Sequence, residues 1–207
     1  MDGLTEVRAR IASTGRDPGE VMIVAVTKGL GVDVVRAAVA AGLEDVGESQ
    51  AQQLLAKVDE GVPAATRWHF LGPVQRNKVK KLAPHVVLWH GVDRESAGAE
   101  VARHRPGAAV LVQVNVSGDD NRPGCGWDEA AALVGRLRDQ GLDVRGLMGV
   151  ATRGGDARSE FRRLAALRDD LGLAELSMGM SGDLEAAVEE GATIVRVGSA
   201  LFGPRPT

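Results

Sequence analysis

Three short stretches hold side chains with chemistry to offer. In IVAVTKGLG (residues 23–31) an apolar run leads into Lys28 and breaks at glycine. Most lysines are solvated, but an amine fixed at a strand end can add to a carbonyl. SMGMSGD (177–183) and RVGSALFG (196–203) set Ser181 and Ser199 among glycines. Glycine lets backbone N–H groups approach an anion, and the hydroxyls add donors. Arg196 shares a strand face with Ile194 and Gly198, a cation aimed inward. An amine, an anion cradle and an arginine together suit a phosphorylated aldehyde, and pyridoxal phosphate (PLP) fits that description.

Other reactive side chains are weaker candidates. His69 and His90 fall near the ends of strand-like runs. Either could serve as a general base if it faced Lys28, but hydrogen-bonded structural histidines are the simpler reading. The four histidines and the lone Cys125 show no metal-ligand spacing, so no metal site is expected. Cys125, in RPGCGWD, reads as a passive loop thiol.

The elements that must position these residues alternate. Strand-like runs fall at 21–28, 44–49, 67–73, 86–93, 108–117, 143–152, 175–181 and 193–202. Between them lie segments of helical period. Ala130, Leu133, Val134 and Leu137 make an i, i+3, i+4, i+7 stripe. Leu184, Ala187 and Val188 follow Asp183, a plausible helix cap, and stop at Gly191. In VLVQVNVS the valines share one face, leaving Gln113, Asn115 and Ser117 for the other. Eight such units predict a parallel sheet covered by helices: a single (β/α)8 TIM barrel, with an open doubly wound sheet as the alternative. No linker divides the chain, so residues 1–207 are expected to form one domain, opened by a helix over about 3–14. In a closed barrel the first and last strands are neighbours and phosphate commonly binds after strands seven and eight. Lys28, Arg196 and the two Gly/Ser turns would then meet at one mouth.

Composition narrows the function. The 207 residues are 44% hydrophobic and 26% charged, ordinary for a globular protein, and 27 glycines imply many tight turns. A net charge of −3 argues against a nucleic-acid binder; the basic run RNKVKK (76–81) reads as a solvated helix face. One cysteine allows no internal disulfide, and no apolar run has the length of a signal peptide or a membrane span. A cytoplasmic location is expected.

The chain also resembles a known family. AVTKG, VGES, WHFLGPVQRNK, QVNVSG, GLMGVAT and LSMGMSGDLEAAVEEGATIVRVGSALFG occur in the order found in the PLP homeostasis proteins, from about residue 20 onward. That family is similar in fold to the barrel domain of alanine racemase and lacks its second, β-rich domain. The resemblance implies that Lys28 carries PLP as a Schiff base, that Ser181, Gly198 and Ser199 hold the phosphate, and that Arg196 faces the pyridine nitrogen. Ser49 and Met180 complete the implied contacts. Family members often read GEN where this chain has Gly47-Glu48-Ser49, and commonly have histidine and leucine at Pro73 and Val74.

A racemase needs a second base, a tyrosine from another domain in the resembling enzyme, and this chain contains no tyrosine. The expected function is therefore PLP binding for intracellular cofactor homeostasis and supply, without strong catalysis. A weak amino-acid racemase or decarboxylase is the alternative, and a sugar-phosphate aldolase barrel a third. The expected partners are PLP, amino acids and, transiently, PLP-dependent apoenzymes, with no nucleic acid and no membrane. A monomer is expected.

Overall fold

The computed structural model describes residues 2–119 and 121–204. Strands β1 (Met22–Val26), β2 (Asp45–Glu48), β3 (Arg67–Phe70) and β4 (Val86–Val92) are followed by β5 (Ala109–Gln113), β6 (Asp143–Met148), β7 (Glu175–Ser177) and β8 (Ile194–Val197). Each pairs in parallel with the next, and β8 returns to β1 with Met22 opposite Ile194 and Ala25 opposite Val197. The sheet is a closed barrel, which excludes the open doubly wound alternative.

Helix α1 (Asp2–Ser13) precedes the barrel and buries Leu4, Val7 and Ile11 along one stripe. Around the barrel run α2 (Val32–Ala40), α3 (Ala51–Asp59), α4 (Arg76–Leu82), α5 (Glu95–His104) and α6 (Ala130–Asp139), then α7 (Ala157–Asp170), α8 (Leu184–Glu189) and the single turn α9 (Ser199–Phe202). The stripe expected in α6 is the one buried, and Asp156 caps α7 by accepting from Ser159 N at 3.1 Å. No helix is long and apolar enough to cross a membrane, among the described residues.

Alternation along the strands makes two cores. Val24, Leu88, Ala109, Leu111, Met148 and Ile194 fill the barrel axis. Val110, Val112 and their counterparts on the other strands face the helices. Buried polar side chains, among them His69, His90, Gln113, Ser177 and Arg196, interrupt the axial packing.

Several expected runs end early, for one reason: their last residues are βα loops lining the mouth. The run 193–202 stops as a strand at Val197 and turns into α9 at Ser199. The run 108–117 stops at Gln113, so Asn115 and Ser117 do not sit on the axis; Ser117 Oγ donates to Asn115 Oδ1 at 2.8 Å in the loop. Asp183 does occupy the position before α8 but does not cap it, because its carboxylate accepts from Met180 N instead. Two glycines are required by space. Gly179 has φ of +90°, and a Cβ there would lie 2.5 Å from Ala187 Cβ. A Cβ on Gly72 would lie 2.0 Å from the Ser49 carbonyl oxygen.

Candidate functional site

The C-terminal ends of β1, β2, β6, β7 and β8 surround a cavity of about 610 Å³. Lys28, Ser49 and Arg196 line it from one side, and Met180, Ser181, Gly198 and Ser199 from the other two turns. All seven sequence-derived candidates thus share one cavity. Leu30, Val150 and Arg153 also line it and were not anticipated.

Lys28 is exposed at the mouth, and its backbone is clamped on both sides from α3. Lys57 Nζ donates to the carbonyl of Thr27 at 2.8 Å, and Gly29 N donates to Gln53 Oε1 at 3.0 Å. Lys57 also donates to Thr27 Oγ1 at 3.1 Å and to Glu48 Oε2 at 2.6 Å, while Glu48 Oε1 accepts from Ser49 N at 2.8 Å. One buried ion pair therefore ties the end of β1, with its lysine, to the end of β2, with its serine. Ser49 Oγ is buried and has no hydrogen-bond partner among the described residues, although Ser49 borders the cavity.

Arg196 rises from β8 into the cavity floor. Its Nη1 donates to Ser177 Oγ at 2.7 Å and its Nη2 to the Gly149 carbonyl at 2.8 Å. Its Nε makes no hydrogen bond among the described residues and is left for whatever occupies the cavity. Burial pulls the guanidinium down to about 10, so it stays charged at neutral pH.

The two Gly/Ser turns are joined, since Ala200 N donates to Ser181 Oγ at 3.2 Å. Gly198 and Ser199 open α9, whose first N–H groups have no partner inside the helix. Arg10 of α1 braces this end by donating to the Ser181 carbonyl at 3.0 Å while gripping Glu185 through two nitrogens at 2.6 and 2.7 Å.

The remaining candidates lie elsewhere. His69 and His90 are buried in the barrel and hydrogen-bond each other at 2.9 Å, and neither lines the cavity. Burial, followed by the neighbouring His69 ring and the Arg196 charge, holds His90 well below its ordinary value. Cys125 is buried, and its thiol is pushed up to about 12, chiefly by burial. It has none of the activation a nucleophile needs.

Sequence reasoning missed Lys57, Glu48, Gln53 and Arg10. One signal was available: Lys57 stands three residues after Leu54, so a charge occupies the apolar stripe of α3. Nothing local marks Arg10 for its distant partners.

A parallel barrel with an amine ending its first strand and Gly/Ser turns after its last two defines the barrel class found at the N-terminus of alanine racemase. The family model for "Alanine racemase, N-terminal domain" matches residues 4–206, and the chain belongs to that family. Within it, the chain belongs to the pyridoxal phosphate homeostasis proteins. It is 40% identical to the protein so named in Pseudomonas aeruginosa, over 99% of this chain and 95% of the relative. It is 42% identical to that of Deinococcus radiodurans, over 96% and 97%. Among solved structures, PipY of Synechococcus elongatus with PLP bound superposes with a TM-score of 0.81 at 31% identity, over 95% of this chain and all of the other. Alanine racemase of Clostridium difficile matches in fold alone, with a TM-score of 0.77 at 14% identity, over the whole of this chain and 58% of that one.

Proposed function

We propose that this protein is a PLP-binding homeostasis protein that holds the cofactor at the barrel mouth and supplies it to other proteins, with little chemistry of its own. The observation that carries the reading is the convergence of Lys28, Arg196 and the Ser181 and Ser199 turns on one cavity. The naming of its close relatives and the PLP complex of PipY support it. The residues present suit the group. An exposed amine meets an aldehyde, hydroxyls and glycine turns meet a phosphate, Arg196 Nε is free to face a ring nitrogen, and Ser49, whose Oγ has no partner among the described residues, borders the same space.

When bound, PLP supplies an electrophilic aldehyde and an electron-withdrawing ring. Lys28 Nζ would provide the amine for the aldehyde carbon, with water as the leaving group. Ser181, Gly198 and Ser199 hold the phosphate with hydroxyls and backbone N–H groups, and Ser49 and Met180 border the ring. Arg196, charged at neutral pH, opposes a second positive charge on the ring nitrogen it faces. Beside Arg196 an unprotonated ring would withdraw electrons only weakly, which suits storage better than racemisation. The chain contains no tyrosine, and neither buried histidine lines the cavity, so among the described residues no tyrosine or histidine stands opposite Lys28. Exposure of Lys28 at an open mouth lets an incoming amine, from a free amino acid or from an apoenzyme's lysine, reach the linkage and exchange for it. A monomer working in the cytoplasm by such transient contacts fits this reading.

The test is an absorption spectrum of the purified protein before and after borohydride, followed by peptide mass mapping. A visible band that reduction removes, with pyridoxyl mass on the Lys28 peptide, is expected. A protein that stays colourless and unmodified after PLP is added would overturn the proposal. Exchange of an amino acid's α-hydrogen in deuterated water would favour an enzyme instead.

A further inference from the structure

Five polar side chains cross the barrel interior in a line that meets the cofactor site only at Arg196. Arg196 Nη1 on β8 meets Ser177 Oγ on β7 at 2.7 Å, and Ser177 Oγ meets His90 Nδ1 on β4 at 2.9 Å. His90 Nε2 meets His69 Nδ1 on β3 at 2.9 Å, and His69 Nε2 meets Asp45 Oδ1 on β2 at 2.8 Å. The line begins at the cavity and ends at the opposite face of the barrel, where Asp45 also accepts from Arg67 Nε at 2.9 Å.

The two ends fix its direction. A guanidinium can only donate and a carboxylate only accept. With both imidazoles neutral, one arrangement satisfies every member. Arg196 donates to Ser177, the Ser177 hydroxyl donates to His90 Nδ1, His90 Nε2–H donates to His69 Nδ1, and His69 Nε2–H donates to Asp45. Adding a proton to either ring turns His90 Nδ1 into a donor toward Ser177. The Ser177 hydroxyl hydrogen then has no acceptor among the described residues, in a fully buried place. Because Arg196 does not release its proton, the line cannot conduct one. What it can do is hold the guanidinium, fixing the direction in which Nε points.

Resting on the cofactor-site reading above, we infer that His90 and His69 are positioning residues: a one-way hydrogen-bond line through the barrel holds Arg196 in register with the ring of the bound cofactor. The charged groups facing the line are Arg196 at one end, Asp45 and Arg67 at the other, and Glu175 beside His69, with Arg145 and Asp143 behind it.

Two experiments test this. In the ligand-free protein, histidine ¹⁵N shifts should show His90 and His69 each protonated at Nε2 alone at pH 7.5; an Nδ1–H on either ring overturns the inference whatever the cofactor does. In the PLP-loaded protein, His90→Gln keeps an acceptor and a donor in the line, whereas His90→Met removes both. Among folded variants, Met should weaken PLP binding about tenfold, on the order of one hydrogen bond, and shift the visible band and its pH midpoint. Gln should restore all three. A Met variant that binds and absorbs as wild type does, or equal losses in Met and Gln, overturns the positioning role. A wild-type protein that takes no PLP overturns the parent reading, and the nitrogen shifts still decide the line.

Discussion

Lys57 Nζ and Glu48 Oε2 lie 2.6 Å apart, and the carboxylate has no solvent exposure at all. The pair is the bolt between β1 and β2, since the same ammonium holds the carbonyl of Thr27 and the same carboxylate holds the N–H of Ser49. Buried pairs return little net stability, but removing one partner strands the other charge.

Lys57→Met should accordingly cost ~3–5 kcal/mol, read from urea denaturation. The double variant Lys57→Met/Glu48→Gln should recover part of that loss. A single variant as stable as wild type would show that the pair is not the bolt described.

Lys28→Ala should behave oppositely. The side chain is exposed, so stability should change by no more than about 0.5 kcal/mol, while borohydride should fix no pyridoxyl mass anywhere on the chain. Trapping at another lysine in this variant would relocate the site.

His90 gives stability a pH dependence of definite sign. Unfolded, it takes up a proton near pH 6.5; folded, it resists until well below that, chiefly because it is buried. Between those two points unfolding consumes a proton, so stability falls as pH drops below about 6.5, at up to ~1.4 kcal/mol per unit. Asp45 acts in the same direction only near and below pH 4: burial raises its carboxyl, but hydrogen bonds from His69 and Arg67 outweigh that and lower it. Denaturation at pH 5 and 7 should show the loss in wild type, and His90→Gln should reduce it. A flat profile in wild type would contradict a neutral His90.

Cys125 should ignore a disulfide reagent at pH 8 in the native protein and react in urea. Its thiol is pushed up to about 12, so almost no thiolate exists at pH 8, and the sulfur is buried as well. Native labelling at the rate of a free thiol would contradict both.

Much of this was legible in the sequence because strand alternation and helical period are local. The eight strand runs, the α6 stripe and the valine face of β5 needed no partner to be read. Strand ends were not legible, because the apolar pattern of β5, β6 and β8 continues into loops that line the mouth, and only closure decides where pairing stops. The cavity was legible through Lys28, Arg196 and the two Gly/Ser turns. Its bracing was not: Arg10 and Glu185, Lys57 and Thr27, and His90 and Ser177 are each pairs of ordinary residues far apart in the chain, joined only by the fold.

The seam between β1 and β8 has a kinetic consequence. It is the most sequence-distant pairing in the barrel, and it sets Lys28 beside Arg196 and Ser199. Loop-closure entropy makes such contacts slow to form, so the seam should zip late in folding. Until it does, Lys28 and the two Gly/Ser turns stay apart in the chain, and under the proposed assignment a partly folded chain should not retain the cofactor. Appearance of the bound chromophore during refolding is thus a clock for ring closure, and halves of the chain expressed apart should colour only when they reassemble.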